Sequence, residues 1–86
     1  MDVSGKAALV TGGGSGIGAE CVRHLTRAGM KVAALDLNME GARKTAEETG
    51  ALAVACDVTD SDSAAEAIKT ARDAHGIAQF LINCAG

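Results

Sequence analysis

Four short apolar runs, at residues 7–10, 32–35, 52–56 and 80–82, set the frame of this chain, and each stops at a polar residue: Thr11, Asp36, Asp57 and Asn83. None of them alternates apolar with polar side chains. Each therefore reads as a strand buried on both faces, the mark of a parallel sheet. Helical patterns fill the gaps. Over residues 17–28, Ile17, Cys21, Val22, Leu25 and Ala28 share one face, Glu20, Arg23 and Arg27 lie opposite, and Gly29 is placed to end the helix. Over residues 39–49, Met39, Ala42 and Ala46 oppose Glu40, Arg43, Lys44 and Glu47, and Gly50 closes the run. Over residues 61–75, Ala64, Ala67, Ile68 and Ala71 turn inward, with Asp60 or Ser61 as the starting cap and Gly76 at the end. The order β-α-β-α-β-α-β predicts one α/β domain over residues 1–86, a parallel sheet with right-handed crossovers and helices packed on it.

Size limits what this domain can bury. At 86 residues a chain removes only ~60–65% of its unfolded surface from water, so its core is marginal. Phe80 is the single aromatic residue, and the 11 glycines with many alanines suit close packing of helix on sheet. The net charge of −3, with signs mixed along the chain, gives no basic patch for nucleic acid. Three cysteines with no close pair along the sequence suggest neither a disulfide framework nor a zinc site, and they fit a reducing compartment. The first apolar run is too short for a signal peptide, and no segment is long enough to span a bilayer. The expectation is a soluble cytoplasmic protein without metal, membrane or nucleic-acid partner.

The chemistry is written at the end of the first strand, in Thr11-Gly12-Gly13-Gly14-Ser15-Gly16-Ile17-Gly18. A glycine loop between strand and helix gathers unpaired backbone N–H groups and the positive end of the helix at one spot, where a pyrophosphate fits. Glycine at 12, 16 and 18 allows a sharp turn, close approach of backbone to ligand, and tight helix packing. No Lys-Ser or Lys-Thr follows, which excludes a nucleoside-triphosphate loop. Asp36 ends the second strand 18 residues after Gly18, the place where an acid meets the ribose hydroxyls of NAD. By themselves these features are also compatible with a flexible turn and a solvated carboxylate, or with a methyltransferase-type fold.

Thr11-Gly12-x-x-x-Gly16-x-Gly18, Asp57-Val58 after the third strand, and Asn83-Cys84-Ala85-Gly86 after the fourth follow one another in order. In this the chain resembles the N-terminal, NAD-binding half of the short-chain dehydrogenase/reductase family, whose Asn-Asn-Ala-Gly motif here carries Cys at its second position. The last two motifs count against a methyltransferase. The resemblance implies a Rossmann-type sheet in strand order 3-2-1-4, truncated, with NAD as cofactor. It implies that the backbone of Gly12, Ser15, Gly16, Ile17 and Gly18 holds the pyrophosphate and adenine ribose, and that Asp36, beside Leu37, takes the ribose hydroxyls. Asp57 and Val58 would read the adenine edge. Asn83 would brace the sheet, and the Cys84 and Ala85 backbone would line the ribose. The parent would be a homo-oligomeric NAD-dependent oxidoreductase acting on a secondary alcohol or ketone. Cys84 in the motif resembles type II 3-hydroxyacyl-CoA dehydrogenases.

The family's catalytic Ser, Tyr and Lys lie past Gly86, and the chain has no Tyr. No catalytic residue is therefore assigned, small-molecule substrate contacts are expected from the missing half, and these residues alone are expected to be inactive. The alternative is a stand-alone dinucleotide-binding module. Strand order 3-2-1-4 separates the strands that carry Cys56 and Cys84 by two others, ~14 Å at the usual spacing, too far for a disulfide. His24 and His75 are read as surface residues. The fourth strand becomes an apolar edge prone to self-association, and one sheet face is expected to leave side chains of residues 7–10 and 80–82 bare.

Overall fold

A computed structural model describes residues 2–14 and 16–84. The elements follow the expected order: β1 (Ala7–Thr11), α1 (Gly16–Arg27), β2 (Lys31–Asp36), α2 (Met39–Thr49), β3 (Leu52–Ala55), α3 (Ser61–His75) and β4 (Ala78–Asn83). All three strand pairings are parallel, and the strands lie in the order β3-β2-β1-β4. This is the α/β Rossmann-type arrangement implied by the sequence.

The helices end where local chemistry stops them. Gly29, at φ 88°, closes α1, with its N–H on the Thr26 carbonyl and that of Met30 on the Leu25 carbonyl, the paired bonds of a Schellman ending. Gly50 closes α2 at φ 83°. Of the two expected caps for α3, Asp60 is the one used, and its side chain accepts from the backbone of Asp62 and Ser63. Asn38 caps α2 by accepting from Gly41, worth ~1 kcal/mol for a residue of this type.

The sheet divides the core in two. On one face Ala8, Val10, Val22, Met30, Val32 and Ala34 pack together, with Cys21, Leu25, Phe80, Ile82 and Cys84 at the margin. On the other, Leu9, Ala33, Leu35, Val54 and Cys56 meet Ala67 and Ala71 of α3. The largest fully buried side chains are valines, Val10, Val22 and Val32. Such small residues bring the helices close to the strands but remove modest area from water, about 1.5–3 kcal/mol for each fully buried side chain of this kind. Arg23 of α1 reaches Glu48 of α2 across the surface, an exposed pair of small net worth.

Four expectations need correction. The side chains of β1 are buried along its whole length, not bare. The exposed apolar residues on the α3 side are instead Ile68, Ile77 and Leu81. Because α3 packs on β2 and β3, β4 alternates between half-buried and exposed residues, so that of residues 80–82, expected to be bare on one face, Leu81 is the one that is exposed. Phe80 and Ile82 turn toward the α1 face, while Leu81 is 67% exposed. Ile68 lies at the flank of α3 rather than inward. Of the α1 face as read, Ile17 and Ala28 are exposed.

Ile68, Ile77 and Leu81 expose apolar surface beside a strand hydrogen-bonded on one side only. These 86 residues are therefore expected to self-associate. Replacing Leu81 with Lys should raise the monomer fraction in light scattering while changing unfolding stability by no more than ~0.5 kcal/mol, as for an ordinary surface substitution. Equal association of both proteins would remove β4 as the contact.

Candidate functional site

The carboxyl ends of the strands converge on one edge of the sheet, where loops of an open α/β fold collect their ligands. There β1 turns at Gly12, whose φ of 69° lies in the left-handed region. Its N–H donates to the Leu35 carbonyl at 2.7 Å, and that of Gly13 reaches the same oxygen at 3.3 Å. A side chain has no room along this path. A Cβ on Gly13 would sit 2.7 Å from the Ala34 Cβ, one on Gly18 would strike the Gly12 carbonyl, and one on Gly41 the Gly14 carbonyl. The loop is thus pressed between α1, α2 and β2. The first turn of α1 holds no acidic residue, which leaves its positive end suited to an anion.

Asp36 stands beside this loop. Its Oδ2 accepts from the Gly14 N–H at 2.9 Å and its Oδ1 from the Asn38 N–H at 3.0 Å. Each carboxylate oxygen has two lone pairs, so one remains on each for hydroxyl donors. A cleft of about 80 Å³ opens next to it, lined by Gly12, Leu35, Asp36, Leu37, Cys56 and Val58. Leu37 and Val58 are 70% and 50% exposed, so two apolar side chains border a slot with a carboxylate at its rim.

The predicted residues separate into four groups. Gly12, Asp36, Leu37 and Val58 line this one cleft. Asp57 lies next to it in sequence, but its Oδ1 is turned to its own loop, accepting from the Thr59 hydroxyl at 2.6 Å and the Thr59 N–H at 2.9 Å. Asn83 and Cys84 flank the other side of Thr11: Thr11 donates from Oγ1 to Asn83 Oδ1 at 2.7 Å, and Cys84 donates its N–H to the Thr11 carbonyl at 3.1 Å. Gly16, Ile17 and Gly18 begin α1, with Ile17 77% exposed. Ser15 and Ala85 lie outside the described residues.

Sequence reasoning missed Gly14, Gly41 and Cys56 here. A glycine inside the α2 pattern costs ~1 kcal/mol against Ala, so Gly41 was the readable sign of a close backbone approach. It also missed that His75 is half-buried, with Nε2 donating to the Val32 carbonyl at 3.2 Å. Among the described residues no group of three His, Cys, Asp or Glu is arranged to hold a metal, and no helix is long and apolar enough to cross a membrane.

The family model for short chain dehydrogenase matches residues 6–86. Sorbitol dehydrogenase of Cereibacter sphaeroides is 41% identical over 85 residues, covering 96% of this chain and 33% of that protein. The structure of 3-ketoacyl-(acyl-carrier-protein) reductase from Brucella melitensis, complexed with NADH, superposes with a TM-score of 0.89 at 36% identity, over 92% of this chain and 34% of that one. A structure described as ribose-5-phosphate isomerase from Brucella melitensis 16M superposes with a TM-score of 0.93 at 39% identity, over 99% and 33% of the two chains. The chain therefore spans about a third of the length of the relatives it matches. The last of these descriptions names a different class of reaction, a reminder that a fold does not fix a function.

The Thr59 hydroxyl, then the Thr59 N–H, hold the Asp57 carboxyl below its ordinary value of 3.8, against a smaller opposing effect of burial. A carboxyl depressed by folding stabilises the fold above its unfolded pKa, and the contribution is lost as pH falls through the folded value. Thr59→Ala removes the larger of the two bonds, so Asp57 should titrate at a higher pH, read from its carboxyl carbon by NMR. An unchanged midpoint would show the hydroxyl to be idle.

Proposed function

This chain belongs to the short-chain dehydrogenase family, and on that premise we propose that it forms the NAD-binding part of an oxidoreductase acting on a secondary alcohol or ketone. The observation that carries the reading is the cleft at the sheet edge. Leu37 and Val58 would hold a planar base across this slot, and the Asp36 carboxylate at its rim would take the ribose hydroxyls. The tight glycine turn beside Asp36 and the start of α1 then offer backbone N–H groups and a positive helix end to the pyrophosphate. Gly16, Ile17 and Gly18 would belong to that cradle, and Ser15 is assigned to it by its place in the sequence motif. Asn83, Cys84 and Ala85 would support the second ribose from the end of β4.

When bound, the nicotinamide gives or takes the hydride; the residues of this chain hold and orient it. They contribute no acid–base pair placed for the alcohol proton: the chain has no Tyr, and the two histidines are on helix surfaces or bonded to backbone. Proton transfer at a useful rate needs such a positioned group. We therefore place the proton step on residues outside these 86, together with substrate selection. Cys84 in the family motif favours a 3-hydroxyacyl-CoA among such substrates. The proposal extends to a cytoplasmic homo-oligomer without nucleic-acid partners, supported by three cysteines that fit a reducing compartment and by the absence of a basic run in the sequence.

Asp36 decides between the two nicotinamide dinucleotides. A 2′-phosphate would bring negative charge against a carboxylate whose two oxygens already anchor the loop, and close like charges cost several kcal/mol. Calorimetric titration should show NAD binding more tightly than NADP, and Asp36→Ala should weaken NAD by ~1–3 kcal/mol, the worth of a charge-assisted hydrogen bond. Tighter binding of NADP by the unmodified protein would refute the assignment.

A separate assay addresses the chemistry. The 86 residues, mixed with NAD and a panel of secondary alcohols, should produce no NADH above a heat-killed control. Sustained NADH formation would place an acid–base group inside this segment.

A further inference from the structure

Two of the three cysteines meet in space although 63 positions separate them. Cys21 of α1 and Cys84 at the end of β4 have their sulfurs 3.8 Å apart. Both are half-buried at the margin of the same apolar cluster, on the face that α1 covers. Cys56 belongs to the cluster on the opposite face of the sheet, so the sheet itself keeps it from either partner. The pairing is outside the cleft beside Asp36, although Cys84 is also among the residues proposed for the second ribose, and the sulfur contact itself does not depend on that assignment.

We propose that Cys21 and Cys84 are a reversible oxidation site, closing to an intramolecular disulfide when the protein meets a peroxide. The thiolate of one cysteine attacks a peroxide oxygen, breaking the O–O bond and giving a sulfenic acid and, with hydrogen peroxide, one water. The second thiol then displaces the sulfenic oxygen as a second water, and the S–S bond forms. Two electrons pass from the sulfur pair to the peroxide, and the two thiol protons leave in the waters. A disulfide needs the sulfurs ~2.05 Å apart. From 3.8 Å each must move by about 0.9 Å, within the range of modest side-chain rotations inside a staggered well.

Neighbourhood, more than acidity, favours this product. Burial, and then the bond to Cys21, push the Cys84 thiol upward, so the first oxidation is slow. Once one sulfur is a sulfenic acid, the other is held beside it and outruns any thiol from solution. Cys56 is also pushed up, by burial and then by the Asp57 charge, and it has no partner on its face. The bond would tie the helix that follows the glycine loop to the strand whose Cys84 amide is bonded to Thr11.

Tryptic cleavage separates the three cysteines, Cys21 in residues 7–23, Cys56 in residues 45–69 and Cys84 in the peptide that starts at Asp73. The purified protein, half of it nitrogen-isotope labelled, is treated with hydrogen peroxide, alkylated and digested without reduction. The expected product joins the Cys21 and Cys84 peptides, lighter than their sum by two hydrogens. It carries one isotope composition throughout and is lost after dithiothreitol. Cys56→Ser should keep it, and Cys21→Ser and Cys84→Ser should each abolish it. Recovery of Cys21 and Cys84 as separate alkylated or sulfinic peptides, or linked only between differently labelled chains, would overturn the proposal. Native mass spectrometry before digestion confirms that the protein read is folded, so that a failed variant is not mistaken for a failed bond.

Discussion

Backbone pressed on backbone at the glycine loop is the contact on which the rest of this structure depends. Gly18 lies against the carbonyl of Gly12, Gly13 against Ala34, and Gly41 against the carbonyl of Gly14. These approaches set how near α1 and α2 come to the sheet, and the core is composed to match. With helices that close, a layer of Ala and Val fills the gap, and a larger side chain would force them apart. The near-absence of aromatic residues is in keeping with that close packing. It also means that little apolar area is available to offset the entropy of ordering the chain.

Asp36 links that geometry to recognition. Its two oxygens secure Gly14 and Asn38, so the same carboxylate that faces the cleft also fixes the loop and the entry to α2. A substitution there has two effects, loss of a ligand partner and loosening of the loop, and the second extends to Gly41, whose N–H bonds to Asn38. The measured worth of Asp36 in binding is thus a difference between two states and not the strength of one bond.

Much of this was legible in the sequence because the signals are local. The apolar runs matched all four strands, with β1 extended to Thr11, β2 to Lys31 and Asp36 and β4 to Ala78 and Asn83, and with β3 one residue shorter, ending at Ala55; glycine at 29, 50 and 76 closed the three helices as read. The cleft, too, came from residues at strand ends, which a parallel sheet necessarily collects along one edge. What escaped depends on tertiary placement. The exposure of Leu81 and Ile68 reflects how far α3 reaches across the sheet, which no periodicity records. The bond from His75 to Val32 spans a helix and a strand, and the meeting of Cys21 with Cys84 requires α1 and the end of β4 to border the same apolar cluster. Counting sequence neighbours showed no cysteine pair because the pair exists only after folding. Strand spacing correctly separated Cys56 from Cys84, and the sheet faces separate them further.

Thr11 and Gly12 show how the two ends of the sheet edge are joined. Thr11 accepts the Cys84 N–H on its carbonyl and donates from its hydroxyl to Asn83, while the next residue, Gly12, donates to Leu35 of β2. Successive residues of the central strand therefore tie it to β4 on one side and to β2 on the other, at the point where the loop begins. A shift at Cys84 that moved Thr11 would have to move the start of the glycine turn as well, since one peptide unit separates them. Gly12 cannot absorb the change by tilting away, because Gly18 rests on its carbonyl and its N–H is held at 2.7 Å. Any coupling between the sulfur pair and a ligand on the loop runs in both directions. A ligand that tightens the loop stiffens the end of β4, and a bond that fixes Cys84 restricts the loop that receives the ligand.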